Sequence, residues 1–227
     1  MEWLVQTPDG RTLSVEDAGD RDGRPVMVHV GTPNSRHLYG RTVADATARG
    51  LRLISYDRPG YGESTPQPGR TMADCASDAR TICAALGIGR LAMWGFSGGG
   101  PPLLACAALL PDLVTAAASL SSPAPFDADG LDWLAGMGPE VPGWVALMFA
   151  DWAQARAVTV TEFDLAGISV PVLLLHGRLD EAVPVAHGQW LAAHIPGVKA
   201  RLLDGEGHAG VREHHIGEVH AWLAERF

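Results

Sequence analysis

Short apolar runs that alternate with segments of helical periodicity constrain the fold of this chain more than any other feature. Runs of this kind cover Pro25 to Gly31, Leu51 to Asp57 and Leu91 to Ser97, and a helical segment around Leu38 to Ala48 separates the first two. Such alternation is typical of repeated strand-helix units packed around a mostly parallel sheet. The sequence therefore predicts an α/β fold.

Further strands are predicted before and after this region. Near the start of the chain, Pro8, Asp9 and Gly10 favour a tight reversal between two short strands, so we expect a hairpin there. A helix is predicted after the last strand. The additional predicted strands cover Glu2 to Gln6, Thr12 to Glu16, Val114 to Ser121, Val170 to His176 and Lys199 to Leu203.

The length and composition favour one globular domain that spans residues 1–227. A chain of 227 residues with 47% hydrophobic and 19% charged residues can bury a full core and falls outside the composition of disordered proteins. Between Ser122 and Gly167 the alternation of strands and helices stops. We interpret residues 122–167 as an insertion that forms a cap on the domain.

The charge and the apolar content bear on partners and location. A formal net charge of −9 argues against a nucleic-acid partner, because affinity for the phosphate backbone depends on clustered positive charge. No apolar run approaches the roughly 20 residues of a membrane-spanning helix, and the first residues lack the basic and apolar parts of a secretory signal. We expect no nucleic acid, no membrane and a cytoplasmic location, where the three cysteines stay reduced.

A glycine-rich turn follows the predicted strand that ends at Ser97. Gly95-Phe96-Ser97-Gly98-Gly99 fits the pattern G-x-S-x-G, in which small residues allow a sharp turn that projects the serine hydroxyl from the sheet edge. The same composition also occurs in turns that need small residues only for packing. The strand before the turn and the helix after it favour Ser97 as a nucleophile, with the Gly98 amide directed at a developing oxyanion.

A serine nucleophile needs a base to accept its proton, and nine histidines compete for that role. His208 is placed best, because it lies on a glycine-rich loop, Gly205 to Gly210, directly after the last predicted strand. His176 ends a buried strand, which indicates a core position or support for the site. The other histidines considered are interpreted as residues that face solvent or pack on helices: His187, His194, His214, His215 and His220.

Two cofactor interpretations of this region are weaker. A metal site that combines His208 with His214 and His215 is disfavoured, because no cysteine or carboxylate spacing completes it. The segment Gly205 to Gly210 also matches the dinucleotide pattern G-x-G-x-x-G, but the βαβ unit and the acidic residue that this pattern requires do not follow it. We expect neither a metal nor another cofactor.

The histidine of such a site needs a carboxylate that orients it. Asp180 follows the predicted strand that ends at His176, and the neighbouring Glu181 is its competitor. An aspartate before a helix can also act only as an N-terminal cap. The chain order Ser97, Asp180, His208, with each residue after a separate predicted strand, matches a known catalytic order and favours Asp180.

A second oxyanion donor is expected from the loop after the strand that ends at Gly31. The Thr32 amide is the candidate at this position. Gly-Thr-Pro-Asn is also an ordinary turn sequence, so this assignment depends on the other site residues.

Together these segments resemble the α/β-hydrolase superfamily over nearly the whole chain, in the motifs GTPNS, SYDRPGYGES, GFSGGG, HGRLDEAVP and GEGHAG. The resemblance implies a mostly parallel eight-stranded sheet and a triad of Ser97, Asp180 and His208. It also implies an oxyanion hole formed by the Thr32 and Gly98 amides. A serine at the nucleophile position is similar to the esterase, lipase and peptidase branches.

The resemblance extends to the loops around the site. The SYDRPGYGES loop, Ser55 to Ser64, is structural in that family, with Asp57 and Arg58 bracing the turn. The chain departs from the family pattern at Val30, where a histidine is common, and at Asn34, where a glycine is common.

The predicted cap is the larger departure, since many relatives have a substantially longer helical cap. Trp144, Met148 and Trp152 recur at helical spacing within residues 122–167 and are candidates to line the substrate pocket. The alternative is that the aromatic side chains only pack a small helical layer on the sheet. A short cap would leave the site open to modest apolar groups, and uncovered apolar surface would favour a homodimer.

The leading hypothesis is a serine hydrolase that cleaves a small carboxylic ester or lactone through an acyl-enzyme intermediate. One alternative is a proline iminopeptidase-like aminopeptidase, because residues 122–167 hold seven acidic residues and only Arg156 as a base, which would attract a substrate amine. Another is a non-catalytic protein that binds a small ligand on a hydrolase scaffold. Perhydrolase or haloperoxidase activity is also compatible with such a site.

Overall fold

The computed structural model describes residues 1–141 and 162–227. The strands in chain order are β1 (Glu2–Gln6), β2 (Thr12–Gly19), β3 (Arg24–His29), β4 (Leu51–Tyr56), β5 (Leu91–Phe96), β6 (Val114–Leu120), β7 (Val172–Gly177) and β8 (Lys199–Leu203). The helices that matter here are α1 (Gly40–Ala48), α2 (Asp74–Ala85), α3 (Gly100–Leu109), α4 (Val185–His194) and α5 (His208–Ala224).

All eight strands form one sheet in the spatial order β1-β2-β4-β3-β5-β6-β7-β8. The predicted hairpin pairs β1 with β2, β2 is also antiparallel to β4, and every other pair is parallel. The predicted α/β fold and its mostly parallel sheet of eight strands are therefore confirmed.

One strand is longer than predicted. β2 continues past Glu16 to Gly19, because Asp17, Ala18 and Gly19 pair with β4. The Asp17 carboxylate accepts a hydrogen bond of 2.7 Å from Arg52 of β4. This ion pair joins the same two strands that pair through their backbones. The pattern of apolar residues in Thr12 to Glu16 contains no sign of this contact.

Helices cover both faces of the sheet. Successive strand residues point to opposite faces, so Met27 of β3 packs with α2, α3 and α4 while its neighbour Val28 packs with α1 and α5. The three cysteines are buried in this packing as free thiols, and burial raises the pKa of the Cys83 thiol to about 12. Because the carboxyl ends of the parallel strands share one edge, the loops after β3, β5, β7 and β8 meet there.

The first part of the predicted cap lies against α4. The Ala124 amide donates to His187 Nδ1 at 3.2 Å, and His187 Nε2 donates to the Trp133 carbonyl at 3.0 Å. The Trp190 indole donates to the Asp129 carbonyl at 2.9 Å. The sequence predicts that His187 faces solvent or packs; it is buried, and its burial lowers the pKa of the imidazole to about 4.

The predicted pocket-lining residues of the cap, Trp144, Met148 and Trp152, lie outside the described residues. Their role stays a prediction. Among the helices within residues 1–141 and 162–227, none is long and apolar enough to cross a membrane.

Candidate active site

The backbone after β5 turns sharply at Ser97. Ser97 has a φ of 53°, a left-handed conformation that is uncommon for a residue with a side chain. The turn continues as a short 3-10 helix, Ser97–Gly99, and leads directly into α3. The predicted strand-turn-helix around Ser97 is thus present, and the turn places the serine at the carboxyl edge of the sheet.

The glycines of the G-x-S-x-G pattern have steric causes. A Cβ at Gly95 would overlap the carbonyl oxygen of Gly99, and a Cβ at Gly99 would overlap the carbonyl oxygen of His29. The turn therefore crosses over the end of β3 at backbone contact distance. Only glycine fits at these two positions without a shift of the backbone.

His208 joins Ser97 to Asp180 by two hydrogen bonds. His208 Nε2 lies 2.9 Å from Ser97 Oγ, and His208 Nδ1 lies 2.8 Å from Asp180 Oδ2. An ionised carboxylate only accepts hydrogen bonds, so Nδ1 carries the hydrogen and Nε2 is left to accept the serine proton. The structure therefore brings together all three residues that the sequence predicts for the triad.

The predicted loop position of His208 is wrong, because His208 is the first residue of α5. The glycine-rich segment predicts a loop, but the extended Gly207 is the last residue before the helix. A histidine at the first helical position is fixed by the helix that follows it and is still adjacent to the loop after β8.

Asp180 acts both as a turn cap and as the partner of His208. Its Oδ1 accepts from the amides of Ala182 and Val183 at 3.0 and 2.7 Å, while its Oδ2 faces His208. The competing Glu181 is exposed, and its side chain lies near Gly138. The alternative interpretation of Asp180 as a helix N-terminal cap is wrong, because α4 begins at Val185 after Pro184 and has no side-chain cap.

His176 supports the Asp180 loop. Buried His176 donates from Nε2 to the Val183 carbonyl at 2.8 Å, and the same nitrogen lies 3.7 Å from Asp180 Oδ2. Burial lowers the pKa of the His176 imidazole, which keeps this residue neutral. This agrees with the expectation of a core position that supports the site.

The predicted oxyanion donors are neighbours. A Cβ at Gly98 would lie 3.0 Å from Thr32 Cβ and 3.2 Å from the Thr32 amide nitrogen. Neither the Thr32 amide nor the Gly98 amide donates to an acceptor within the described parts of the chain. A developing oxyanion requires two such N–H donors, and the role of the Thr32 and Gly98 amides in an oxyanion hole stays a prediction.

The loop after β4 fixes the loop after β3. Asp57, which is fully buried, accepts two hydrogen bonds from Arg36, one from the amide and one from the guanidinium, each of 2.6 Å. The Glu63 amide donates to the same carboxylate at 2.9 Å. Asp57 therefore braces the turn as the resemblance implies, but its partner Arg36 was not identified from the sequence.

Arg58 contacts the oxyanion segments directly. Its Nη1 donates to the carbonyls of Val30 and Gly98 at 3.1 and 2.9 Å, and its Nη2 donates to Thr32 Oγ1 at 3.1 Å. The sequence assigns Arg58 only to its own turn. Its reach into the site depends on contacts across the sheet edge that no local pattern contains.

Aromatic packing surrounds His208 on α5. The Phe96 ring lies 4.8 Å from the His208 ring, and the Arg212 guanidinium lies 4.8 Å from the Phe96 ring and 4.5 Å from the Tyr39 ring. Cations bind favourably over aromatic faces. Phe96 therefore packs against the imidazole, and Arg212 and Tyr39 pack behind Phe96; no sequence pattern predicts these three residues.

The remaining histidines are not part of the hydrogen-bonded chain at Ser97. His214 and His215 bind the Glu206 carboxylate at 3.1 and 3.2 Å, and buried His220 contacts Asp45 at 2.7 Å. Within residues 1–141 and 162–227, no group of histidine, cysteine and carboxylate side chains could hold a metal ion.

An apolar recess opens between the start of α3 and the first part of the cap. Its walls are formed by Met72, Pro101, Leu104, Phe126, Trp133 and Phe163. Pro101 lies four residues after Ser97 along the turn and helix. The recess therefore lies beside the helix that begins directly after the Ser97 turn.

Comparison with known proteins agrees with this architecture. The family model described as the alpha/beta hydrolase fold matches residues 24–167. The chain belongs to the α/β-hydrolase family. This match confirms the resemblance that the sequence motifs indicate. The protein is a member of a hydrolase family.

Relatives of this α/β-hydrolase include peroxidases and esterases by name. A non-heme chloroperoxidase of Streptomyces lividans is 28% identical, with 80% of this chain and 83% of the relative covered. A bifunctional esterase/perhydrolase of Acinetobacter calcoaceticus is also 28% identical, with 79% and 83% covered.

Solved structures of esterases share the fold. An esterase from Exiguobacterium antarcticum superimposes with a TM-score of 0.78 at 22% identity, covering 98% of this chain and 99% of that one. An esterase from Rhodococcus superimposes with a TM-score of 0.75 at 21% identity over 100% and 99% of the two chains.

Proposed function

We propose that this α/β-hydrolase is a serine hydrolase that cleaves a small carboxylic ester or lactone through an acyl-enzyme intermediate. The observation that carries the proposal is the hydrogen-bonded chain from Asp180 through His208 to Ser97, with distances of 2.8 and 2.9 Å. The close approach of Thr32 to Gly98, the residue after Ser97, supports it. The names of the esterase relatives agree with this choice.

In the first half of the reaction, Ser97 Oγ forms a bond to the carbonyl carbon while its proton passes to His208 Nε2. The carbonyl oxygen becomes an oxyanion that accepts from the amides of Thr32 and Gly98. The bond to the alcohol oxygen then breaks, and the alcohol takes the proton from His208. The acyl group is left on Ser97.

In the second half, His208 Nε2 accepts a proton from a water molecule, whose oxygen attacks the acyl carbon. The bond to Ser97 Oγ breaks, the serine recovers its proton from His208, and the carboxylic acid leaves. Asp180 stabilises the imidazolium that forms in both halves, because its carboxylate accepts from Nδ1 throughout.

We also propose that residues 1–227 form one domain with residues 122–167 as its cap. The apolar recess beside Pro101 would take a modest acyl or alcohol group, and Trp144, Met148 and Trp152 of the cap are candidates to line the substrate pocket. This arrangement favours short apolar esters over long or charged ones.

The test is covalent labelling. A fluorophosphonate should modify the wild-type chain at Ser97, and Ser97→Ala should abolish both labelling and hydrolysis of a p-nitrophenyl ester. Ser77→Ala, at an exposed serine on α2, is the matched control and should behave as wild type. Modification of a different residue, or full hydrolysis by Ser97→Ala, would overturn the proposal.

A comparison of substrates separates the ester hypothesis from the aminopeptidase. The ester hypothesis predicts rapid hydrolysis of p-nitrophenyl esters and little hydrolysis of a prolyl arylamide. Faster turnover of the arylamide would favour the proline iminopeptidase-like alternative. Ligand binding without labelling would favour the non-catalytic one.

Perhydrolysis is a second candidate, because one relative is named a bifunctional esterase/perhydrolase and others are named haloperoxidases. Here hydrogen peroxide replaces water, loses a proton to His208 and attacks the acyl carbon, which releases a peracid and restores Ser97. Peracid formation from acetate ester and peroxide, absent in Ser97→Ala, is the measurement that supports this activity.

A further inference from the structure

Arg58 is a buried guanidinium that binds the oxyanion segments through neutral acceptors. It is 5% exposed. Its hydrogen bonds go to the carbonyls of Val30 and Gly98 and to the hydroxyl of Thr32. The ring of Tyr61 lies 5.0 Å from the central carbon of the guanidinium.

No ion pair involving Arg58 occurs in the described part of the chain. Two other arginines there are buried: Arg36 binds the Asp57 carboxylate, whereas Arg70 contacts the Cys75 thiol at 3.8 Å and also has no ion pair. Asp57 is adjacent to Arg58 in sequence, but its carboxylate is occupied by Arg36 and by an amide of the same loop. A buried charge without a counter-charge is costly to the folded state.

The three acceptors of Arg58 lie on both sides of the oxyanion hole. Val30 and Thr32 belong to the loop after β3, which carries one donor amide, and Gly98 belongs to the turn that carries the other. A single planar guanidinium therefore fixes the relative position of the two donors. Such preorganisation lowers the energy of a transition state without binding the ground state more tightly.

Resting on the proposed function, we propose that Arg58 is a positioning residue of the oxyanion hole, whose uncompensated positive charge gains a negative partner when the tetrahedral oxyanion forms. The charge lies behind the donor amides and does not touch the substrate. It therefore acts on the rate of the chemical steps and on the affinity for tetrahedral anions, while the binding of an uncharged ester is unaffected.

Arg58→Met tests this inference. The concentration of active sites is determined by fluorophosphonate titration, so that kcat is calculated for folded protein alone. We expect kcat per active site to fall about 100-fold, as for the loss of one oxyanion donor, while KM changes less than about threefold. The affinity for an alkyl boronic acid, which forms a tetrahedral anion on the serine, should fall by a similar factor.

Two milder variants keep the test decisive if Arg58→Met does not fold. Arg58→Lys retains the charge without the planar fork and should recover part of the lost kcat. Thr32→Val removes the acceptor of Nη2 but keeps the Thr32 amide, and should lower kcat about threefold to tenfold. Arg52→Met, which removes an arginine paired with Asp17 away from the turn, should leave kcat unchanged.

The outcomes separate the two proposals. If the wild type is labelled at Ser97 but the Arg58 variants retain full kcat and full boronate affinity, Arg58 is only a structural residue and the inference is wrong. A rise in KM at constant kcat would equally contradict it. If the wild type itself is not labelled at Ser97, the proposed function fails instead.

Discussion

The Cα atom of Gly99 lies against the carbonyl oxygen of His29, with no space between them for a side chain. Gly99 ends the turn that holds Ser97, and His29 ends β3, so the contact joins the turn of the serine to the strand that leads to Thr32. The position of Ser97 at the sheet edge therefore depends on this backbone contact between Gly99 and His29.

Gly99→Ala is expected to destabilise the fold, because the new Cβ must displace the backbone of either Gly99 or His29. Forcing atoms into a packed site costs about 1–3 kcal/mol and occasionally more, so the midpoint of urea unfolding should fall markedly. Gly89→Ala is the matched control, since a Cβ there meets nothing within 4 Å. Equal midpoints for the two variants would contradict this explanation of the glycine.

Asp180→Asn is expected to lower kcat at least about 1,000-fold with little change in the fold, because an amide that donates to Nδ1 would place the imidazole hydrogen on Nε2. His208 could then no longer accept the proton of Ser97. Steady-state kinetics with a p-nitrophenyl ester measure the loss. Glu181→Gln, at the exposed neighbour, should retain wild-type kcat; a comparable loss there would assign the carboxylate to Glu181 instead.

Asp57→Ala should destabilise the protein by about 1–3 kcal/mol, the usual effect of leaving buried donors without their acceptor. The reason is that the amides of Arg36 and Glu63 and one nitrogen of the Arg36 guanidinium would lose their hydrogen bonds to Asp57, while the guanidinium keeps the exposed Glu2 and Glu63 carboxylates as charged partners. Asp112→Ala breaks the exposed pair with Arg80 and should leave the unfolding midpoint unchanged. Similar midpoints for the two variants would show that Asp57 does not brace the loops.

Acid should destabilise the fold through His187. The pKa of His187 is lowered from its ordinary 6.5 to about 4, so the unfolded chain binds the proton first as the pH falls. The free energy of unfolding should therefore decrease from about pH 6.5 down to about pH 4, by roughly 3 kcal/mol from this residue, and become independent of it below that range.

Urea unfolding at several pH values measures this effect. His29 and His176, whose pKa values are also lowered by burial, act in the same direction, so His187→Gln should reduce the slope between pH 6.5 and 4 without removing it. An unchanged slope in His187→Gln would mean that protonation of His187 is not coupled to unfolding.

The strands and the three residues of the hydrogen-bonded chain could be predicted from the sequence because their signals are local. Buried parallel strands leave continuous apolar runs, and the turn at Ser97 needs glycines at fixed positions. Each of the three hydrogen-bonded residues also follows its own strand directly or within a few residues. Their order in the sequence then places Ser97, Asp180 and His208 at one sheet edge.

The support of the site could not be predicted because it depends on long side chains that cross between segments. Arg36 reaches a carboxylate 21 residues away, and Arg58 reaches a carbonyl 40 residues away. An arginine in a loop has the same local pattern whether its charge is buried or solvated. The assignment of Trp144, Met148 and Trp152 stays a prediction, since these residues lie outside the described part of the chain.

Ser97 and His208 are 111 residues apart in sequence, and β8, the strand that leads to His208, pairs only with β7 within the described residues. His208 is nevertheless the first residue of α5, which packs in the same core cluster as β5. The base therefore reaches Ser97 only when that face of the core has formed, so under the proposed chemistry esterase activity and a spectroscopic probe of core packing should recover at the same rate during refolding.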